Sequence, residues 1–449
     1  MELYSKGKNY TLYHGNMLDL LDVIPPNSID SIVCDPPYEL NFMNKGWDNS
    51  GIAFDKNAWK KCFQVLKEGG YLLAFGGSRT YHRIACAIED AGFEIRDCIM
   101  YLYGSGFPKS MDVAKSLEGK LTLGSANTKD FKKLNGEQIT RGNWGYAKMQ
   151  LEQGYRNKNY DTEAESETYL GKLKPTTDLA KQWQGWGTNL KPAYEPIIVA
   201  RKPFEGSLVN NIIKNGVGAL NIDECSVGNE ERTQYSGKST NGTVYFEYPQ
   251  KNSHFETVVG RFPANVITDG SEEVQSGLPE TKSNSGNACR YFYCAKASTK
   301  DREEGLIGFE KQQTTDGCIR SNEETARAYG ANSGLRKNIH PTVKPTTLMQ
   351  YLIRLVSPKG SVILDPFMGS GSTGKAVMFE NNERNANYKF IGIELTKEYL
   401  PICEARIKWA NEPNMIVIEN TKENKVEKYQ QTTLFDFLKW KIKIFKELL

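Results

Sequence analysis

Four histidines, and nine cysteines without one Cys-x-x-Cys pair, deny this 449-residue chain the ligand spacing that zinc requires. No metal is expected. An odd, scattered set of cysteines suits a reducing compartment better than a disulfide framework. The opening residues Met1-Glu2-Leu3-Tyr4-Ser5-Lys6 lack the apolar core of a signal peptide. No run of ~18 apolar residues is present to span a membrane, so a cytoplasmic protein with no membrane partner is expected. Excess charge is also scarce. A net +3 provides no global attraction for nucleic acid, although a local basic face would suffice. Hydrophobic content of 39% and charged content of 25% are those of a globular protein, and the length admits one large core plus a second domain.

What the chain does contain begins with Ser31-Ile32-Val33-Cys34-Asp35-Pro36-Pro37-Tyr38. An apolar, β-branched run that meets two prolines must stop there, because proline has no N–H for a ladder. The reading is a buried strand halted at its carboxyl end, where ligands bind in open α/β sheets. A carboxylate, two carbonyls that no strand claims and an aromatic ring suit a planar substrate carrying an amino group. A plain Pro-Pro turn capped by Asp35 stands beside that reading.

A second stretch, Ser361-Val-Ile-Leu-Asp365-Pro366-Phe367-Met-Gly369-Ser-Gly371-Ser-Thr373-Gly374, reads as strand, glycine turn and helix start. Glycines permit positive φ and close backbone approach, and a helix N-terminus offers free N–H groups. The strand Phe390-Ile-Gly-Ile-Glu394 follows, and its acid lies near the ~20-residue spacing expected of a ribose acceptor in a nucleotide-type βαβ unit.

With these two motifs in this order, the chain resembles the permuted, β-class S-adenosylmethionine-dependent DNA amino-methyltransferases, in particular those of phages and prophages. The resemblance implies an α/β, Rossmann-like methyltransferase fold with a mixed, mainly parallel, circularly permuted sheet and an inserted target-recognition domain. It implies S-adenosylmethionine as cofactor and double-stranded DNA as partner. Asp35, Pro36, Pro37 and Tyr38 would be catalytic. Asn16, Asp35, His340, Lys344, Asp365, Pro366, Phe367, Gly369, Gly371, Thr373 and Glu394 would hold the methyl donor, with Asn16 near its adenine and Lys344 near its methionine end. Many enzymes of this class pair, so a homodimer is open.

The implied divisions are 1–110 (catalytic half), 111–181 (polar insertion), 182–203 (last strands of the sheet), 204–335 (target recognition), 336–410 (donor half) and 411–449 (tail). Trp59, Phe63 and Leu66 recur at helical spacing, with Glu68-Gly69-Gly70 expected to close that helix before a strand at Tyr71–Phe75. A helix over Ile84–Ala91 and a strand from Phe93 continue the β-α-β rhythm. Ile197–Ala200, flanked by Pro196 and Pro203, is expected as an antiparallel edge strand. In the insertion, Trp144 and Tyr146 beside Arg141 and Lys148 could contact nucleic acid, although a solvated insertion is the plainer reading. Gln431-Thr-Thr-Leu-Phe435 resembles the peptide that docks replication proteins on a sliding clamp. A tail helix packed on the body is the plainer alternative.

The chemistry these residues imply is alignment of a poor nucleophile. An aromatic amine delocalises its lone pair into the ring. Asp35 and the Pro36 carbonyl would each accept one amino hydrogen, and Tyr38 would stack on a base flipped out of the duplex. Asp at the first motif position favours adenine-N6 over cytosine-N4 by family tendency. Protein-glutamine and RNA methylation are further alternatives. Ring-carbon chemistry is disfavoured, because Cys34 would point to the opposite face of its strand from Asp35.

Overall fold

The computed structural model describes residues 2–40, 46–104, 106, 110–123, 175–236, 254–281, 287–295, 298–313 and 335–412. Trp144, Tyr146 and their basic neighbours lie outside the described residues, as do the clamp-like peptide at 431–435 and the expected tail helix.

Ten described strands form one sheet: β1 (Glu2–Lys6), β2 (Tyr10–His14), β3 (Ile29–Cys34), β4 (Leu66–Phe75), β5 (Glu94–Leu102), β6 (Tyr194–Arg201), β7 (Val266–Thr268), β8 (Tyr293–Cys294), β9 (Val362–Asp365) and β10 (Lys389–Glu394). Their spatial order is β1-β2-β10-β9-β3-β4-β6-β5-β7-β8. β1 is antiparallel to β2, and β6 is antiparallel to both neighbours; the other pairings are parallel. The two strands that carry the sequence motifs, β3 and β9, are therefore adjacent, and both end at the same rim.

Every residue of β3 is buried, as a strand covered on both faces must be. Its one carboxylate is fully employed: Asp30 binds Lys67 at 2.5 Å and accepts from the Val362 N–H at 2.7 Å, tying β3 to both neighbours. Alternation along β4 sends Leu72 and Ala74 to one face and Tyr71, Leu73 and Phe75 to the other. The first face is covered by helices α1 (Lys56–Val65) and α2 (Tyr81–Asp90) through Trp59, Cys62, Ile84 and Ile88. The second is covered by α3 (Thr346–Val356), α4 (Ser372–Arg384) and α5 (Leu400–Asn411). This is a doubly wound α/β fold.

Two expectations are corrected. The helix through Trp59 stops at Val65, and Leu66 already begins β4. Gly69 and Gly70 do not close it; they pair with the backbone of Lys202, and Gly69 adopts φ +81° where the register with β3 shifts. β6 is not an edge strand but lies between β4 and β5. Pro196 is tolerated there because β4 ends at Phe75, opposite Ile197, so no ladder N–H is demanded of it on that side. Residues 204–335 contribute β7 and β8 to the sheet.

Candidate active site

The carboxyl ends of β3, β9 and β10 open into a cavity of about 1430 Å³. Asp35, Pro36, Pro37 and Tyr38 form part of its wall directly after β3. The Tyr38 carbonyl accepts from the Thr80 hydroxyl at 2.7 Å, which fixes the end of the turn. Opposite them stands the glycine turn, with Pro366, Phe367, Gly369 and Thr373 on the lining and Glu394 at the end of the neighbouring strand.

Asp365 is 2% exposed and spends both oxygens on that turn, accepting from the Phe367 N–H at 3.0 Å and the Thr373 hydroxyl at 2.5 Å. Its position is that of a holder of the loop. Burial pushes its carboxyl up to about 7 against those hydrogen bonds. Glu394 accepts from the N–H groups of Gly369 and Thr396, both at 2.7 Å, and burial pushes it to about 7 as well. Gly371, expected on the donor, does not line the cavity. It takes φ +75° at the start of α4, and a Cβ there would sit 3.0 Å from the Cys403 Cα. Its role is close packing against α5. Asn16 lines the cavity while its side chain caps a short helix through the Leu18 N–H at 3.0 Å.

His340 is buried between Trp47 and Tyr399, with ring centroids 6.3 Å and 4.5 Å away. Burial first, and the cations of Arg302, Arg406 and Lys344 after it, hold the imidazole down to about 3 against its hydrogen bond to the Thr342 carbonyl. It is a neutral wall.

Lys344 meets the Asp35–Tyr38 stretch rather than the glycine turn. Its ammonium lies 2.9 Å from Asp35 Oδ2, 3.3 Å from Glu195 Oε2 and 3.0 Å from the Tyr38 hydroxyl, over the rings of Tyr38 and Phe75. Burial works against the charge, but Asp35 and Glu195 outweigh it and hold the ammonium above its ordinary range. Three N–H donors thus have three acceptors. Asp35 Oδ1, by contrast, is buried with no hydrogen-bond partner among the described residues. Such an acceptor is destabilising until a ligand donor reaches it.

Glu195 was not singled out from the sequence. It enters β6 opposite Tyr101 of β5, so only a pairing across some ninety residues brings it to the site; an acid just before proline at a strand entry was the sole local signal. Arg302, which lines the cavity and donates to the His340 carbonyl, comes from the 204–335 segment and had no signal.

A protein-family model described as DNA methylase matches residues 29–405. The type II methyltransferase M2.DpnII of Streptococcus pneumoniae is 41% identical over 75 residues, which cover 17% of this chain and 26% of that protein. The chain thus spans about a quarter of that relative's length. The type II methyltransferase M2.LlaDCHI of Lactococcus lactis subsp. cremoris is 25% identical over 245 residues, 48% of this chain and 84% of that protein. Among solved structures, a PvuII DNA methyltransferase described as cytosine-N4-specific is 13% identical, covering 89% of this chain and 87% of that one, at a TM-score of 0.41. No helix among the described residues is long and apolar enough to cross a membrane.

Proposed function

The chain belongs to the DNA methylase family, and from that premise we propose that it transfers a methyl group from S-adenosylmethionine to the exocyclic amino group of adenine, on a base flipped out of double-stranded DNA. The observation that carries this reading is the orphaned Asp35 Oδ1 between two prolines and β3, in one cavity with Glu394 and the glycine turn. The cavity fits the methyl donor chemically. Glu394 is an acceptor for ribose hydroxyls, Gly369 with φ +54° permits close backbone approach, and the carboxylates of Asp35 and Glu394 suit a cation. When bound, S-adenosylmethionine supplies a methyl already activated on a sulfonium.

The chain's own residues then have an aligning task. Asp35 and the Pro36 carbonyl each accept an amino hydrogen, drawing the nitrogen toward tetrahedral geometry with its lone pair turned to the methyl. The Tyr38 ring stacks on the base, and Asp35 receives the proton that the methylated nitrogen releases, passing it to solvent. The donor half following the catalytic half in the chain is the order of a circularly permuted methyltransferase, and residues 204–335 fall where such an enzyme reads its target.

Expression in a host without DNA methylation, followed by single-molecule sequencing of the genomic DNA, should reveal methylated adenine confined to one short motif. Modified cytosine would replace the base and keep the mechanism. Unmodified DNA from a folded, donor-binding protein would overturn the reading.

Donor binding should also depend on pH. With a carboxyl held near 7 by burial, Glu394 carries its proton below that pH and accepts from hydroxyls best above it. The sign for stability follows. A raised carboxyl favours the folded state below the unfolded value of about 4, and that contribution is lost as pH rises through about 7. The donor relieves the resulting penalty. S-adenosylmethionine should therefore bind several-fold more tightly at pH 8 than at pH 6, with protons released on binding near pH 6.5, by titration calorimetry. Equal affinity at both pH values would contradict it.

A further inference from the structure

Lys344 presents a difficulty for the proposed function on which this inference rests. A buried ammonium 2.9 Å from the catalytic carboxylate is a like charge for an incoming sulfonium. The methyl donor must come within one amino nitrogen of Asp35, which places its sulfur no more than roughly 13 Å from Lys344, given a hydrogen-bonded amine and near-attack separations of about 3–3.5 Å. At that range, with an effective dielectric near 20, a unit charge alters a dissociation constant by about tenfold or more.

Glu195 resolves the difficulty. Asp35 and Glu195 together outnumber Lys344, which gives the cluster a net charge of −1. The second carboxylate is held in place: it accepts from the Tyr38 hydroxyl at 3.4 Å, shares the ammonium, and lines the cavity. Neither residue needs to touch the reacting nitrogen, since all three lysine protons are already engaged.

We propose that Glu195 and Lys344 are positioning residues that set the charge of the catalytic centre. Lys344 fixes the Asp35 carboxylate in the cavity wall through the 2.9 Å ion pair, and Glu195 offsets Lys344 so that the centre prefers a cationic sulfonium donor to the neutral thioether left after transfer. The same preference favours product release. Because the test reads how the ratio of two ligands of nearly identical shape changes on substitution, the contributions of the other charged groups around the cavity cancel from that change.

The test is the ratio of affinities for S-adenosylmethionine and S-adenosylhomocysteine, measured by calorimetry on the full chain. Glu195→Gln removes one negative charge at constant shape. It should weaken sulfonium binding about tenfold and leave thioether binding within twofold. The double variant Glu195→Gln/Lys344→Met restores the net −1 and should return the ratio to its starting value, which keeps the proposal falsifiable if the single variant is unstable. Equal weakening of both ligands by Glu195→Gln, or no change in the ratio, would overturn the proposal and reduce Glu195 to a scaffold residue. If the unmodified protein binds neither ligand, the proposed function itself fails, a distinguishable result.

Discussion

Asp35→Ala should lower methyl transfer by about a thousandfold at saturating donor, within the range of 10² to 10⁴ that one positioned proton acceptor contributes. The substitution is structurally mild. Lys344 retains Glu195 at 3.3 Å and Tyr38 at 3.0 Å, so no buried ammonium is stranded, and the orphaned Oδ1 disappears with the carboxylate. Sulfonium affinity should fall by the same charge effect expected of Glu195→Gln, while thioether affinity stays unchanged. The two variants then separate at saturating donor. Glu195→Gln should keep most of its single-turnover rate, because Asp35 remains to accept the amino hydrogen, whereas Asp35→Ala should not recover at any donor concentration. Single-turnover incorporation of labelled methyl into DNA measures both. A rate for Asp35→Ala within tenfold of the unmodified protein would remove Asp35 from the chemistry.

The parts of this site that the sequence revealed are those whose physics is local. A β-branched run stopped by two prolines defines a strand and its end within eight residues, and Ile29–Cys34 followed by Asp35 is what the structure contains. Strand, glycine turn and helix over Val362–Arg384 are likewise written in adjacent residues. What was illegible depends on partners far along the chain. Proline beside Ile197–Ala200 was read as the mark of an edge, but Pro196 is accommodated by the end of β4, which no local pattern discloses. Gly69-Gly70 has the local pattern of a helix stop, whereas the pair serves a bulge stitched to Lys202. Glu195 is unremarkable as a single residue, and the resemblance that marks Lys344 sets it near the methyl donor; the contact of both with Asp35 arises only where β6 and the segment before α3 converge.

Lys375 gives the sharpest case of meaning concealed from the sequence, and its removal should produce the largest loss of stability. Four residues past Gly371, at the start of a helix after a glycine turn, it has the position of a ligand-binding lysine, yet its side chain is fully buried. It lies 2.6 Å from Asp301 and 3.0 Å from Glu304, over the rings of Phe379 and Trp409. Arg406, also fully buried, donates to the Ser370 carbonyl at 2.7 Å, while its second nitrogen donates to the Asp301 carbonyl at 3.3 Å and lies 3.9 Å from the Asp301 carboxylate. Asp301 in turn accepts from the N–H of Thr346 at 2.7 Å, at the start of α3. One cluster therefore pins the 298–304 segment to the glycine turn and to the helix that follows Lys344. Lys375→Met deletes the main counter-charge, itself fully buried, of two largely buried carboxylates. Breaking a buried pair from one side costs about 3–5 kcal/mol, far more than the pair contributes over an apolar replacement. Urea unfolding should register that loss. Lys375→Met/Asp301→Asn, which neutralises the stranded carboxylate as well, should recover part of it. A single variant that loses less than about 1 kcal/mol would mean that water reaches the cluster and that surface-pair energetics apply.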